Sequence, residues 1–322
     1  MIITGLGSYL PPRVLKNKEI ESFIDTTDEW IQDKLGIKER RIADSNISAS
    51  DLAYNASIIA LKDAKIDAKE IDLIIVATST PDRLSPSTAC ILQQKLNASN
   101  AAAFDINAVC SGFIYGLSIA NSFLKSNTYK RILLVASEVY SKITNWKDRQ
   151  CVFFGDGSGA VVLEFDNSNL FDCLLYADGT GKENFTVRAG GSYMPASYQT
   201  VDNNNHYFYM NGKAVYETGK KVLPESILTL LNKNNICIEQ ISYLIPHQPS
   251  INILKETAKI LNLPFEKVGT SMQVYANTAG ASIPVTMDLM YQQNKFKTDD
   301  LLVFAAVGSG WTWGSAIIRW KK

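Results

Sequence analysis

The chain has 322 residues, 46% of them hydrophobic, and its 32 basic side chains balance 32 acidic ones. That is enough material for one large core or two fused cores. The zero net charge excludes the basic excess that non-specific nucleic-acid binding requires, so no nucleic-acid partner is expected.

In chain order, the opening Met1-Ile-Ile-Thr-Gly-Leu-Gly lacks the charged and apolar regions of a signal peptide. No apolar run reaches the ~20 residues of a membrane span. The five cysteines (Cys90, Cys110, Cys151, Cys173, Cys237) show neither CxxC pairing nor metal-ligand spacing. These features predict a cytoplasmic chain with free thiols, no membrane partner and no metal site.

Helical periodicity covers 51–64, 86–96, 111–125, 214–231, 250–261 and 279–293. Between these lie apolar runs at 73–76, 102–109, 132–137, 159–162, 243–245, 301–306 and 315–318, with a further strand-like run at 274–276. Strands apolar on consecutive positions are covered on both faces by helices, so the pattern predicts α/β layers. The polar stretch 201–206 reads as a loop.

The order of motifs repeats. Glu70-Ile71-Asp72 before Leu73-Ile74-Ile75-Val76 is matched by Gln240-Ile241-Ser242 before Tyr243-Leu244-Ile245, a shift of 170 from Ile71 to Ile241. The runs 132–137 and 301–306 correspond similarly. Gly159–Val162 and Ser315–Ile318 correspond with a smaller shift, which implies an insertion in the first half. The expected architecture is two pseudo-symmetric βα halves, 1–170 and 171–322, packed as a five-layered αβαβα sandwich.

Three residues stand out chemically. Cys110 falls at a strand-to-helix turn, where the helix N-terminus would lower its pKa and backbone N–H groups could hold an oxyanion. By position alone an inert core cysteine is equally compatible. Only two histidines occur: His206 lies among asparagines and reads as a solvated loop residue, whereas His247 follows the run 243–245, a place suited to ligand chemistry in α/β folds. Asn277 also precedes a small-residue helix, 167 positions after Cys110, and reads as its near pseudo-symmetric mate. Of two glycine-rich segments, Gly155-Asp156-Gly157-Ser158-Gly159 lacks a phosphate-loop lysine and reads as a structural turn. Gly308-Ser309-Gly310 lets backbone approach a site closely.

These segments, with Thr27-Asp28-Glu29-Trp30-Ile31, Gly36-Ile37-Lys38-Glu39-Arg40-Arg41, Asp105-Ile106-Asn107-Ala108-Val109-Cys110-Ser111-Gly112, Pro246-His247-Gln248 and Thr312-Trp313-Gly314-Ser315-Ala316, resemble the β-ketoacyl-acyl carrier protein synthase III family over nearly the whole chain. The resemblance implies a thiolase-like fold and a Cys-His-Asn set of Cys110, His247 and Asn277. Cys110 would take an acyl group from acyl-CoA. His247 and Asn277 would hydrogen-bond the carbonyl of a malonyl thioester as it loses carbon dioxide. The backbone N–H groups of Cys110 and Ser309 would form the oxyanion hole, Ser309 standing where the family has glycine. Trp30 and Arg149 would sandwich the CoA adenine, with Thr26 and Gly212 along the pantetheine channel. The resemblance further implies coenzyme A thioesters as substrates rather than a resident cofactor, and a homodimer in which Leu84 and Ser85 close the partner's acyl pocket.

Some positions depart from the family pattern. Glu217 and Asn252 stand where a lysine and an arginine are typical, which weakens attraction for an acidic carrier protein. Ser85 is smaller than the aromatic residue that limits acyl length in some members, which implies room for a longer acyl group. The leading expectation is a decarboxylative condensation that initiates fatty-acid synthesis from malonyl-acyl carrier protein. The alternatives are a secondary-metabolism synthase using malonyl-CoA or an unusual acyl donor, a non-decarboxylating acyltransferase, and a silent paralogue.

Overall fold

The computed structural model describes residues 1–322. Its strands are β1 (Ile2–Tyr9), β2 (Arg13–Lys16), β3 (Glu39–Ile42), β4 (Leu73–Ala77), β5 (Ala102–Ile106), β6 (Arg131–Glu138), β7 (Gly157–Glu164), β8 (Phe171–Ala177), β9 (Phe185–Val187), β10 (Phe208–Met210), β11 (Tyr243–Pro246), β12 (Leu301–Gly308) and β13 (Thr312–Arg319). Its helices are α1 (Asn17–Glu21), α2 (Asp28–Leu35), α3 (Ala49–Ala64), α4 (Thr88–Leu96), α5 (Gly112–Lys125), α6 (Tyr198–Asp202), α7 (Gly212–Lys233), α8 (Ile251–Ile260), α9 (Met272–Tyr275) and α10 (Ser282–Gln292).

Two mixed sheets form the frame, in the orders β1-β7-β6-β4-β5 and β11-β12-β13-β8. Leu73 lies opposite Ile132 in the first, and Tyr243 opposite Leu302 in the second. Both partners have moved by the same 170 positions, 73 to 243 and 132 to 302. Beyond that pair the shift falls to 155, from Glu164 opposite Arg131 to Arg319 opposite Leu301. The first half carries two 3-10 turns, Tyr140–Ile143 and Arg149–Val152, between β6 and β7, whereas only residues 309–311 join β12 to β13.

Strand alternation divides the side chains among three cores. Ile74, Val76, Leu133 and Val135 point outward to α3 and α4. Leu73, Ile75, Ile132 and Leu134 point inward, where they meet Phe113 and Leu117 of α5, Ile283 and Met287 of α10, and Leu302 and Phe304 of β12. Leu301, Val303 and Val307 of that same strand turn the other way, onto Leu223 and Ile227 of α7 and Leu254 of α8. The layers are therefore α3/α4, first sheet, α5/α10, second sheet and α7/α8, the thiolase-like sandwich.

Local chemistry trims the expected elements. The run 102–109 is strand only to Ile106, because Val109–Ser111 coils into a 3-10 turn. The run 274–276 is not a strand. Val274 and Tyr275 end α9, and Ala276 takes φ 56°, ψ −151° with its N–H donated to Met272. The edge position of the second sheet is reduced to a single bridge, Leu244 with Val268. In 201–206, the first two residues finish α6 and the rest turn toward β10.

Candidate functional site

Cys110 sits in the turn between β5 and α5, directly after Val109, whose φ is +50°. Such a conformation costs a β-branched residue free energy and persists only where neighbours impose it. They do so by hydrogen bonds. Asn107 Oδ1 accepts from Val109 N at 3.2 Å, Ser111 Oγ donates to the Ala108 carbonyl at 2.7 Å, and Thr312 Oγ1 donates to the same carbonyl at 3.0 Å. The end of β12 passes so close that a Cβ on Gly308 would lie 2.9 Å from both Ala108 O and Cys110 N. Only glycine allows that approach, and it carries Ser309 to Cys110.

His247 follows β11 and is held by its own N–H, which donates to Ala305 at 2.8 Å. Its Nδ1 shares a 3.1 Å hydrogen bond with Ser282 Oγ, so Nε2 is the nitrogen left to the cavity. Asn277 is joined to the first half, its N–H donating to Phe153 O at 3.2 Å while Gly155 N donates to its carbonyl at 3.1 Å. Its Oδ1 accepts from Ala279 N at 2.8 Å, which leaves the Nδ2 donor free to turn into the site. The pseudo-symmetric pairing expected from the sequence is corrected here. The 3-10 turns Val109–Ser111 and Ala279–Ala281 are 170 positions apart, so Asn277 is the counterpart of Asn107, and Cys110 that of Gly280.

Cys110, His247, Asn277, Gly308 and Ser309 line one cavity of about 460 Å³. Burial pushes the Cys110 thiol well above the ordinary cysteine range, with the Glu138 carboxylate adding to the shift, although a backbone hydrogen bond opposes it. Desolvation thus acts against the depressed pKa expected from the sequence. Burial likewise lowers His247 to about 3, so the imidazole is neutral. The resting pair is thiol and imidazole, not an ion pair.

Trp30 lines the outer part of the cavity, and the Arg149 guanidinium lies 4.0 Å over its ring. Thr27 Oγ1 accepts from Trp30 N at 3.1 Å and caps α2, which fixes where the indole stands. Gly212 also lines the cavity and opens α7, with nothing within 4 Å of a Cβ built on it. Thr26 is outside the lining set, and its buried hydroxyl has no partner in the chain. Leu84 and Ser85 are also outside it; Leu84 is 87% exposed. His206 is partly buried, its Nε2 2.9 Å from Thr200 Oγ1 and away from the cavity. Asp156 of the glycine-rich segment accepts from Ala43 N at 2.7 Å and Ser141 N at 2.9 Å, a structural fastening.

Sequence reasoning passed over Glu138. Fully buried at the end of β6, it accepts from Thr80 Oγ1 at 2.7 Å, from Ser79 Oγ at 3.0 Å, and from the backbone N–H groups of Ser79 and Gly280. Burial still raises it to about 7. The available signal was an acid closing the otherwise apolar run 132–137. Asn252, which lines the cavity, donates from Nδ2 to the Lys34 carbonyl at 3.1 Å, and on α7 Glu217 pairs with Lys220 at 2.6 Å.

Known proteins resemble this chain over nearly its whole length. The family model described as 3-oxoacyl-[acyl-carrier-protein (ACP)] synthase III matches residues 104–179, and that of its C-terminal part matches residues 231–320. The chain is 46% identical over 323 residues to the β-ketoacyl-[acyl-carrier-protein] synthase III of Caldanaerobacter subterraneus subsp. tengcongensis, covering 99% of this chain and 98% of that one. It is 42% identical to that of Clostridioides difficile, with 99% and 98% covered. Among solved structures, the 3-oxoacyl-[acyl-carrier-protein] synthase III of Aquifex aeolicus superposes with a TM-score of 0.92 at 39% identity, over 99% of each chain. The Cys110 turn, the histidine after β11 and the asparagine turn thus stand in a chain that belongs to the β-ketoacyl-acyl carrier protein synthase III family.

Proposed function

We propose that this chain performs the decarboxylative condensation of an acyl group with a malonyl thioester, the step that initiates fatty-acid synthesis. It is a condensing enzyme of the transferase class. The observation that carries the reading is the convergence of Cys110, His247, Asn277 and the Gly308–Ser309 backbone on one cavity.

Cys110 Sγ attacks the acyl-CoA carbonyl, and the carbon–sulfur bond to CoA breaks. The thiol proton leaves with the CoA sulfur, giving free CoA and an acyl thioester on Cys110. The tetrahedral oxyanion lies against the N–H groups of Cys110 and Ser309. In the second half-reaction His247 Nε2 and Asn277 Nδ2 donate to the malonyl thioester carbonyl. Loss of carbon dioxide leaves an enolate whose carbon attacks the acyl carbonyl, and Cys110 departs as a thiolate that takes a proton from solvent. For a neutral imidazole this requires the Nε2–H tautomer, in which Ser282 Oγ turns its proton from the Ala279 carbonyl to Nδ1; that tautomer donates from Nε2 without bringing a charge into an apolar cavity.

Trp30, Arg149, Thr26 and Gly212 serve the CoA adenine and pantetheine arm. The functional unit is a cytoplasmic homodimer in which Leu84 and Ser85 reach the partner, a use supported by the exposure of Leu84. The chain divides at residue 170 into the half that carries Cys110 and the half that carries His247 and Asn277, a division supported by the shared register of the two sheets. Malonyl-acyl carrier protein is the second substrate. The Glu217–Lys220 pair and the neutral Asn252 favour malonyl-CoA as the competing donor.

Acyl-CoA incubation followed by intact-protein mass measurement tests this reading. An adduct on Cys110 is expected, absent in Cys110→Ala. His247→Ala should retain most acylation yet lose condensation by a hundredfold or more. Absence of any adduct on the wild-type chain would refute the proposal.

A further inference from the structure

The duplicated plan repeats the backbone of the oxyanion pocket, and the second copy is filled from within. The N–H groups of Cys110 and Ser309, proposed for the oxyanion, have counterparts in Gly280 and Val139, by the same shift of 170 from 110 to 280 and from 139 to 309. Neither counterpart lines the cavity. Gly280 N donates to the Glu138 carboxylate, and Val139 N donates at 2.9 Å to Thr80 Oγ1, whose own proton goes to Glu138 at 2.7 Å. The difference lies in one residue. β12 ends in Gly308, which lines the cavity and has no side chain, whereas β6 ends in its counterpart Glu138. A carboxylate thus stands where the other copy is open to a substrate.

Glu138 is fully buried, and hydrogen-bond donors rather than a cation hold it: Thr80 Oγ1, Ser79 Oγ, and the N–H groups of Ser79 and Gly280. Reshaping such a group is costly, because its donors would be left unpaired in a dry interior. What it grips is the turn beneath Asn277 and His247. Ala279 has φ +45°, a conformation that persists only where neighbours impose it. Its N–H donates to Asn277 Oδ1 at 2.8 Å. Its carbonyl lies 2.6 Å from Ser282 Oγ, which is itself 3.1 Å from His247 Nδ1. The Ala279 carbonyl and the Gly280 N–H belong to one planar peptide, so the bond to Glu138 on one side fixes the carbonyl on the other.

We infer that Glu138 is a positioning residue for the condensation step: its carboxylate fills the second copy of the oxyanion pocket, fixes the Ala279–Gly280 peptide, and through it aims the donors of Asn277 and His247. The inference rests on the condensing-enzyme reading and adds to it a residue that lies outside the cavity lining. Acylation of Cys110 does not use those two donors, so the two half-reactions separate the claim from a general effect on folding.

The test times each half-reaction alone. Acylation by acetyl-CoA is followed by intact-protein mass, and the preloaded acyl-enzyme is then mixed with malonyl-CoA or malonyl-acyl carrier protein for a single turnover. Glu138→Gln sets an amide N–H among donors. It should slow the second step about tenfold or more, since small misplacements of aligned groups are costly, and leave acylation within about threefold. Thr80→Val leaves the carboxylate in place but removes its 2.7 Å bond. It should show the same split to a lesser degree, and it serves if the glutamine variant fails a thermal-melt check. Equal losses in both steps would make Glu138 merely structural and overturn the inference, as would a folded glutamine variant with an unchanged second step. A wild-type chain that forms no adduct, or an adduct that yields no product with either malonyl donor, would instead overturn the condensing-enzyme reading, and this inference with it.

Discussion

Asn107 and Asn277 make the same hydrogen bond at places 170 residues apart. Each side-chain Oδ1 accepts from the backbone N–H two positions on, Val109 at 3.2 Å and Ala279 at 2.8 Å. Both bonds stabilise turns whose first residue has positive φ, +50° at Val109 and +45° at Ala279. One turn presents Cys110. The other brings Gly280 so near that a Cβ there would lie 3.0 Å from Val109 O and 3.2 Å from Glu138. Cys110 and Asn277 are held by two copies of one device, and the copies touch.

That relationship predicts a role for Asn107, which takes no part in the proposed chemistry. Asn107→Ala should destabilise the fold by about 1 kcal/mol, the worth of one such hydrogen bond, and slow Cys110 acylation severalfold. Asn107→Asp keeps the acceptor and should restore both. Urea unfolding and single-turnover acylation measure the two effects, and an alanine variant equal to wild type in both would remove the turn's claimed dependence on the side chain.

Glu138 predicts a pH dependence of stability. Its pKa rises from 4.5 unfolded to about 7 folded because of burial. The folded state therefore holds the extra proton between these values. This contribution is complete below pH 4.5 and is lost as pH rises through 7, up to about 3 kcal/mol in all. Glu138→Gln should lack that slope, so the stability difference between variant and wild type should shift in the variant's favour between pH 5 and 8. Denaturant midpoints across that range provide the measurement; parallel curves would exclude the proton-linked term.

The Trp30–Arg149 contact predicts a clamp that must open. At 4.0 Å the guanidinium rests directly on the indole, whereas an adenine held between them needs about 7 Å, two stacking distances. Trp30→Ala and Arg149→Ala should each raise KM for acyl-CoA about tenfold and leave acylation by a short acyl-pantetheine thioester unchanged. CoA binding should also alter Trp30 fluorescence as the cation is displaced. Equal losses on both donors would assign the pair a structural role instead.

The cavity mouth predicts how carriers are chosen. Glu217 neutralises Lys220 at 2.6 Å on α7. Glu217→Lys should free that cation and lower KM for malonyl-acyl carrier protein several-fold at low salt, with the gain fading at high salt and little change for malonyl-CoA. Steady-state kinetics at two ionic strengths would decide, and a salt-independent change would point away from electrostatic docking.

Much of this protein was determined by local sequence. Consecutive apolar runs such as 73–76 and 301–306 specify strands covered on both faces, and the repeated motif order specifies the duplicated α/β plan. Cys110, His247 and Asn277, which line one cavity, stand out in the sequence because each ends a strand-like run or opens a small-residue helix and because histidine is scarce. What the sequence could not express is long-range desolvation and close approach. The raised thiol of Cys110 depends on burial beneath both sheets and on Glu138, which lies 28 positions away in the chain. The segment 274–276 looked like a strand because its residues suit one, but its backbone N–H groups are taken by Ser271 and Met272, and it is the next residue, Asn277, that bonds Phe153 and Gly155 of the other half. The buried cluster of Tyr140, Phe154, Phe185 and Phe208 joins residues that share no spacing or period. Only packing brings them together, since ring contacts depend on position in space and leave no periodic trace along the chain.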